Sequence, residues 1–144
     1  MKINLYKEIL PENMREKFEI TKIEKKIERK PQEEYWIYVE EKKDNYPKEL
    51  KNISREEISL NGFLDRLEII HSPINNNPVY LQIYRRRWKR KGETNSYHNE
   101  HEIHKPGMKC TQEFGNFLKE LNRQKRSKFF ANFSYIRNIK EKDF

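Results

Sequence analysis

The sequence predicts an α+β domain: a small antiparallel sheet of four to five strands, flanked by an N-terminal and a C-terminal helix. Three observations carry this. β-branched and aromatic residues gather in short runs such as Tyr35-Trp36-Ile37-Tyr38-Val39 and Val79 to Trp88, the composition of strands. Phe114, Phe117, Leu118 and Leu121 fall at i, i+3, i+4, i+7, the spacing of one helix face. Only 34% of residues are hydrophobic and 38% are charged, so the core must be small, but the clustered 12% of aromatics favours a fold over disorder.

The elements follow in order. Leu5, Tyr6, Ile9 and Leu10 have helical spacing until Pro11 interrupts, and Met14 and Phe18 resume it, so one interrupted helix is expected over residues 3–19. Residues 20–43 read as a β-hairpin with a charged turn at 28–34. Residues 43–62 read as a loop, with one helical turn near Glu56-Glu57-Ile58 and a turn at Asn61-Gly62. Leu64, Leu67, Ile69 and Ile70 predict a short strand, and residues 72–78 a turn in which Asn75, Asn76 and Asn77 tolerate left-handed backbone without glycine.

Val79 to Trp88 is the next expected strand. Val79, Leu81 and Ile83 lie on one face, continued by Arg85 and Arg87; Tyr80, Gln82, Tyr84, Arg86 and Trp88 lie on the other. Residues 89–98 make a polar turn, and Glu100 to Met108 is expected to return as a strand. Thr111 is the expected N-cap of the C-terminal helix, with Glu113 in its first turn. The expected boundaries are a single α+β domain over 1–122 and a basic aromatic tail over 123–144, helical or flexible.

Charge is unevenly distributed. Residues 1–30 carry nine Lys/Arg and six Glu, residues 31–80 six basic and ten acidic residues, and residues 81–144 sixteen basic and seven acidic. The whole excess behind the net charge of +8 therefore lies in the C-terminal half, a localised positive field suited to a polyanion. It is densest at Tyr84-Arg85-Arg86-Arg87-Trp88-Lys89-Arg90-Lys91, which holds six cations in eight residues. Guanidinium groups meet phosphate oxygens with a fork of donors and can pair with guanine edges, and a β-ribbon fits the major groove. A solvated edge strand needs fewer charges than this to resist aggregation.

Other chemistry finds little support. His98, His101, His104 and Cys110 could in principle ligate zinc, but a strand separates His101 from the other two histidines and a helix spreads all three too widely. No cofactor or metal is expected. Carboxylates stand beside lysines, as in Glu24-Lys25-Lys26 and Glu40-Glu41-Lys42, which reads as solvated surface. No nucleophile elbow, phosphate-binding loop or metalloprotease motif occurs, so no enzyme is expected. One cysteine, no apolar leader and no stretch of membrane-spanning length predict a cytoplasmic protein with no membrane contact.

Several segments, taken in order, resemble the N-terminal region of Aon-type bacterial insertion-sequence transposases. They are Ile9-Leu10-Pro11-Glu12, Phe18-Glu19-Ile20, Ile37 to Lys42, Asn61-Gly62-Phe63, Ser72-Pro73-Ile74, Val79 to Trp88, Gly107 to Phe114 and Phe117 to Glu120. The likeness covers roughly residues 5–123. The same order is distantly similar to the N-terminal zinc ribbon of a larger transposase family, whose flanking cysteines are absent here. The resemblance thus implies a metal-free ribbon or WRKY-like sheet held by aromatics. It also implies a module that binds double-stranded DNA at transposon ends, with the catalytic DDE domain on a separate transposase subunit or reading frame. In those relatives a basic, glycine-containing turn follows Pro-Ile; Asn75-Asn76-Asn77 replaces it, so no phosphate contact is carried over to that turn. The expected DNA contacts are Tyr84, Arg85, Arg86, Arg87, Trp88, Lys89, Arg90 and Lys91. The alternative is a non-specific nucleic-acid-binding or protein-interaction module.

Overall fold

A computed structural model describes residues 8–27, 33–103 and 109–124. Among them the chain forms β1 (Phe18–Lys26), β2 (Glu34–Glu41), β3 (Ile58–Phe63), β4 (Leu67–Ile74), β5 (Asn77–Tyr84), β6 (Arg86–Arg90), β7 (Ser96–Tyr97) and α1 (Gln112–Gln124). Short 3-10 turns occupy Glu12–Met14, Lys48–Leu50 and Arg55–Glu57. The strands pair as a four-stranded sheet in the order β1-β2-β5-β4 and a three-stranded sheet in the order β3-β6-β7. The class is therefore α+β, but with two sheets in place of the expected single one.

The second sheet exists because the run Val79 to Trp88 is two strands. β5 stops at Tyr84 and β6 starts at Arg86. At the break the Arg85 carbonyl accepts from the Leu64 N–H at 2.8 Å, and the chain then pairs with β3. β3 lies where a loop was expected. Asn61-Gly62 reads as a turn, but here Gly62 takes φ 74° inside the strand, where the register shifts between Leu60 and Phe63. Glycine adopts that conformation without steric cost and so permits the irregularity.

The asparagine turn follows the sequence closely. β4 runs on to Ile74, and two residues, Asn75 at φ 51° and Asn76 at φ 64°, close the hairpin to β5. Both are left-handed, as the turn that best matches strand twist requires.

At the N-terminus the expected flanking helix is not formed over residues 8–19; residues 3–7 lie outside those described. Pro11 is extended at φ −54°, ψ 146°, a single 3-10 turn follows, and β1 begins at Phe18. Proline biases the residue before it away from helix, and the run from Phe18 to Ile23 favours a strand. Near the other end, residues 100–103 form no strand, and the short β7 instead falls within the predicted polar turn. Residues 104–108 and the tail beyond 124 lie outside the described residues. No helix among those described is long and apolar enough to cross a membrane.

Two compact units interleave along the chain. The described residues of the first are 8–21, 38–67 and 82–101, with Leu10, Met14, Phe18, Val39, Leu50, Ile83 and Trp88 buried. Those of the second are 22–27, 33–37, 68–81, 102–103 and 109–124, with Ile37, Ile69, Val79, Leu81, Phe114 and Leu118 buried. In this second unit Thr111 caps α1 as expected: the Phe114 N–H donates to its Oγ1 at 3.2 Å. The same hydroxyl sits 2.8 Å from Nδ1 of the buried His71. Cys110 is buried beside it in a parallel bridge to Ile70.

Candidate nucleic-acid interface

β6 is the middle strand of its sheet, and alternation sorts its cations by face. Arg86 and Trp88 point inward and are buried, with Trp88 fully inaccessible and its ring 6.2 Å from that of Tyr46. Arg87 and Lys89 point the other way. Lys89 is exposed, and its cross-strand partners are Ser59 of β3 and Ser96 of β7, both exposed as well. Lys91 lies one rung further on. Its N–H donates to the Glu57 carbonyl at 2.7 Å, which prolongs the ladder.

The three consecutive arginines have three different tasks. Arg85 clamps the loop after β3, its Nη2 donating to the Asp65 carbonyl at 3.2 Å. Arg86 is an internal ion. Its Nε donates to the Glu41 carbonyl at 2.6 Å and its Nη2 to Glu40 Oε1 at 3.0 Å, while the guanidinium lies 4.8 Å from the Phe63 ring centre. Arg87 alone among the three has a side chain that makes no hydrogen bond or ion pair among the described residues. Its Nε is buried without an acceptor, and its Nη2 lies 3.6 Å from where a Cβ on Gly62 would stand. Arg90, at the strand's end, is shared between Glu57 at 3.8 Å and Glu93 at 3.7 Å. Tyr84 ends β5 with its ring edge-on to Phe63 at 5.5 Å. Of the eight residues expected to touch DNA, the structure therefore places Arg87 and Lys89 on one face of β6, leaves Lys91 exposed in the turn that follows, and holds Arg86 and Trp88 inside.

What orients β6 is a carboxylate read from sequence as solvated. Glu41 is completely buried, because it ends the inward row Ile37, Val39, Glu41 of β2. Its Oε1 accepts the Arg86 N–H at 2.9 Å. Its Oε2 accepts from Asn45 at 2.8 Å, Asn99 at 2.7 Å and His101 Nε2 at 2.9 Å. Burial pushes the Glu41 carboxyl up, but the bonds from His101, the Arg86 N–H and Asn99 outweigh it and hold the group below its ordinary value of 4.5. A buried charge is tolerable only when its lone pairs are filled in this way. The period-two row was the signal in the sequence that could have revealed it.

The three candidate zinc ligands among the described residues have separate environments. His101 is held by Glu41 and lies edge-on to Phe18 at 4.9 Å; His98 is exposed, Cys110 is buried, and His104 lies outside the described residues. Beside β7 a half-open groove of about 450 Å³ is lined by Lys48, Lys51, Ser96, Tyr97 and His98, among others. Comparison with family models, with curated proteins and with solved structures found no match.

Proposed function

We propose that this protein binds double-stranded DNA through the outer face of the β3-β6-β7 sheet, with no catalytic activity of its own. The observation that supports the reading most is the sorting of β6. Lys89 faces solvent between two serines and the half-buried Arg87 shares its face, while Arg86 and Trp88 anchor the strand from behind. A cation row braced by a buried ion knot is held ready at small entropic cost, and that favours a charged partner over a merely solvated edge. Arg87, Lys89 and Lys91 carry the contact; Arg85 and Arg90 add to the positive field.

We further propose, from the sequence resemblance, that the DNA is the end of an insertion sequence. The protein is then the N-terminal region or subunit of its transposase, a metal-free, ribbon-like module that works with a separate DDE subunit in the cytoplasm. The test is a competition between terminal-repeat and scrambled duplexes of equal length. End recognition requires preference for the repeat at physiological salt. Equal affinity would leave the non-specific binder as the correct description. Loss of all duplex binding at low salt would remove the DNA reading altogether.

A further inference from the structure

The outer face of β6 is narrow. Arg87 and Lys89 stand at alternate positions of β6, so the extended chain sets them roughly 6.7 Å apart, close to the distance between successive phosphates of one nucleic-acid backbone, and Lys91 follows in the turn just beyond the strand. On either side the sheet offers no competing bulk: Ser59 and Ser96 flank Lys89, and Gly62 leaves room beside the Arg87 guanidinium. Ser59 and Ser96 add hydroxyl donors, which commonly bind phosphate and sugar. Arg87 has no ion-pair partner among the described residues; its Nε is buried without an acceptor, so its terminal Nη groups are the donors left to meet an oxyanion from outside. Arg90, the next cation along the chain, faces the other way and is already shared by Glu57 and Glu93.

We infer that a single sugar-phosphate backbone lies lengthwise along β6, with three successive phosphates on Arg87, Lys89 and Lys91, and that Arg87 is the forked anchor of the track. The inference rests on the DNA-binding reading and narrows it. These side chains set position along one strand of the duplex, and base recognition comes from elsewhere on the protein. Lys89 and Lys91 act as point charges. Arg87 also supplies geometry, because a guanidinium presents paired donors to one phosphate where an ammonium cannot.

The test is fluorescence anisotropy of a labelled 20-base-pair duplex with the full chain, titrated over a salt series. Each of Arg87→Ala, Lys89→Ala and Lys91→Ala should reduce the magnitude of the log–log salt slope by about 0.9. Between 50 and 200 mM salt the triple variant should therefore escape roughly 40-fold of the loss that wild type suffers. Arg87→Lys, which keeps the charge and most of the stem, should keep the slope and still bind several-fold more weakly. It also covers the case in which an alanine there disturbs the sheet. Arg85→Ala and Arg90→Ala should leave the slope within about 0.3 of wild type.

Slope changes at Arg85 or Arg90 equal to those at Arg87, Lys89 and Lys91 would overturn the track while leaving DNA binding intact. So would an Arg87→Lys variant indistinguishable from wild type. Polyglutamate of matched charge that competes as well as the duplex overturns the assignment of a phosphate backbone as the occupant. Absence of wild-type binding at any salt would instead sink the parent reading.

Discussion

Replacing Arg86 by alanine should destabilise the fold rather than remove a direct contact with DNA. The side chain makes three separate interactions. Its Nε bond to the buried Glu41 carbonyl, at 2.6 Å, is charge-assisted, and its loss should cost about 1.5–3 kcal/mol. The ion pair with Glu40 is partly exposed and contributes below about 1 kcal/mol after screening. The guanidinium over Phe63 adds about 0.5–1 kcal/mol. Together these give roughly 3–4 kcal/mol, a large share of the 5–15 kcal/mol typical of a domain, and a midpoint lowered by roughly 10–15 °C. Thermal and urea denaturation followed by circular dichroism would measure it. Arg87→Ala, adjacent in sequence but on the opposite face of the strand, should change stability by less than about 0.5 kcal/mol. If Arg86→Ala unfolds within about 1 kcal/mol of wild type and weakens DNA binding more than Arg87→Ala does, the assignment of faces is wrong.

Glu41→Gln removes the charge of the internal knot and should cost about 2–4 kcal/mol at neutral pH. Because the folded carboxyl is held below its ordinary value of 4.5, wild type should lose this stabilisation as pH falls below that value, whereas the variant's midpoint should lack that component of the acid loss. Equal acid sensitivity in the two proteins would contradict the network. Gly62→Ala places a side chain at φ 74° and should cost about 1–2 kcal/mol from backbone strain, since its Cβ would meet Arg87 only at an ordinary 3.6 Å. A neutral result in urea denaturation would mean that the strand irregularity relaxes freely. Thr111→Ala removes both the helix cap and the hydroxyl beside His71, for a cost of about 2–3 kcal/mol. Thr111→Ser should recover most of it.

The parts of the fold that sequence foretold are those set by local chemistry. The Phe114, Leu118, Leu121 spacing with a threonine before it defines α1, and consecutive asparagines supply the two left-handed residues between β4 and β5. The parts it concealed depend on distant partners. Nothing local marks the break at Arg85, because β-prone residues continue through it; the strand changes sheets where the Arg85 carbonyl finds the Leu64 N–H. β3 was hidden because Asn61-Gly62 has turn composition, and glycine serves a strand irregularity equally well. Pro11 and the β-prone run after it left residues 8–19 without the expected helix.

The site was half legible. Alternation alone placed Arg86 on the face of Trp88, but its anchor, Glu41, lies 45 residues away and looked like one more solvated acid. Three cations in a row therefore read as one binding surface, when the fold assigns them to a loop clamp, a core ion and a half-buried position on the opposite face of β6. The same logic shows what buried polar groups do here. The Glu41 knot fixes which residues of β6 face outward, so a substitution in it should disturb binding only through the fold.

The most direct measurement is amide mapping by nuclear magnetic resonance of the full chain as duplex DNA is added. The account predicts shifts concentrated at Ser59, Gly62, Arg87, Lys89, Lys91 and Ser96. It also predicts small changes at Ile23 on β1 and at Asn116 on α1. Perturbations centred on β1 or α1, with the outer face of β6 silent, would contradict it.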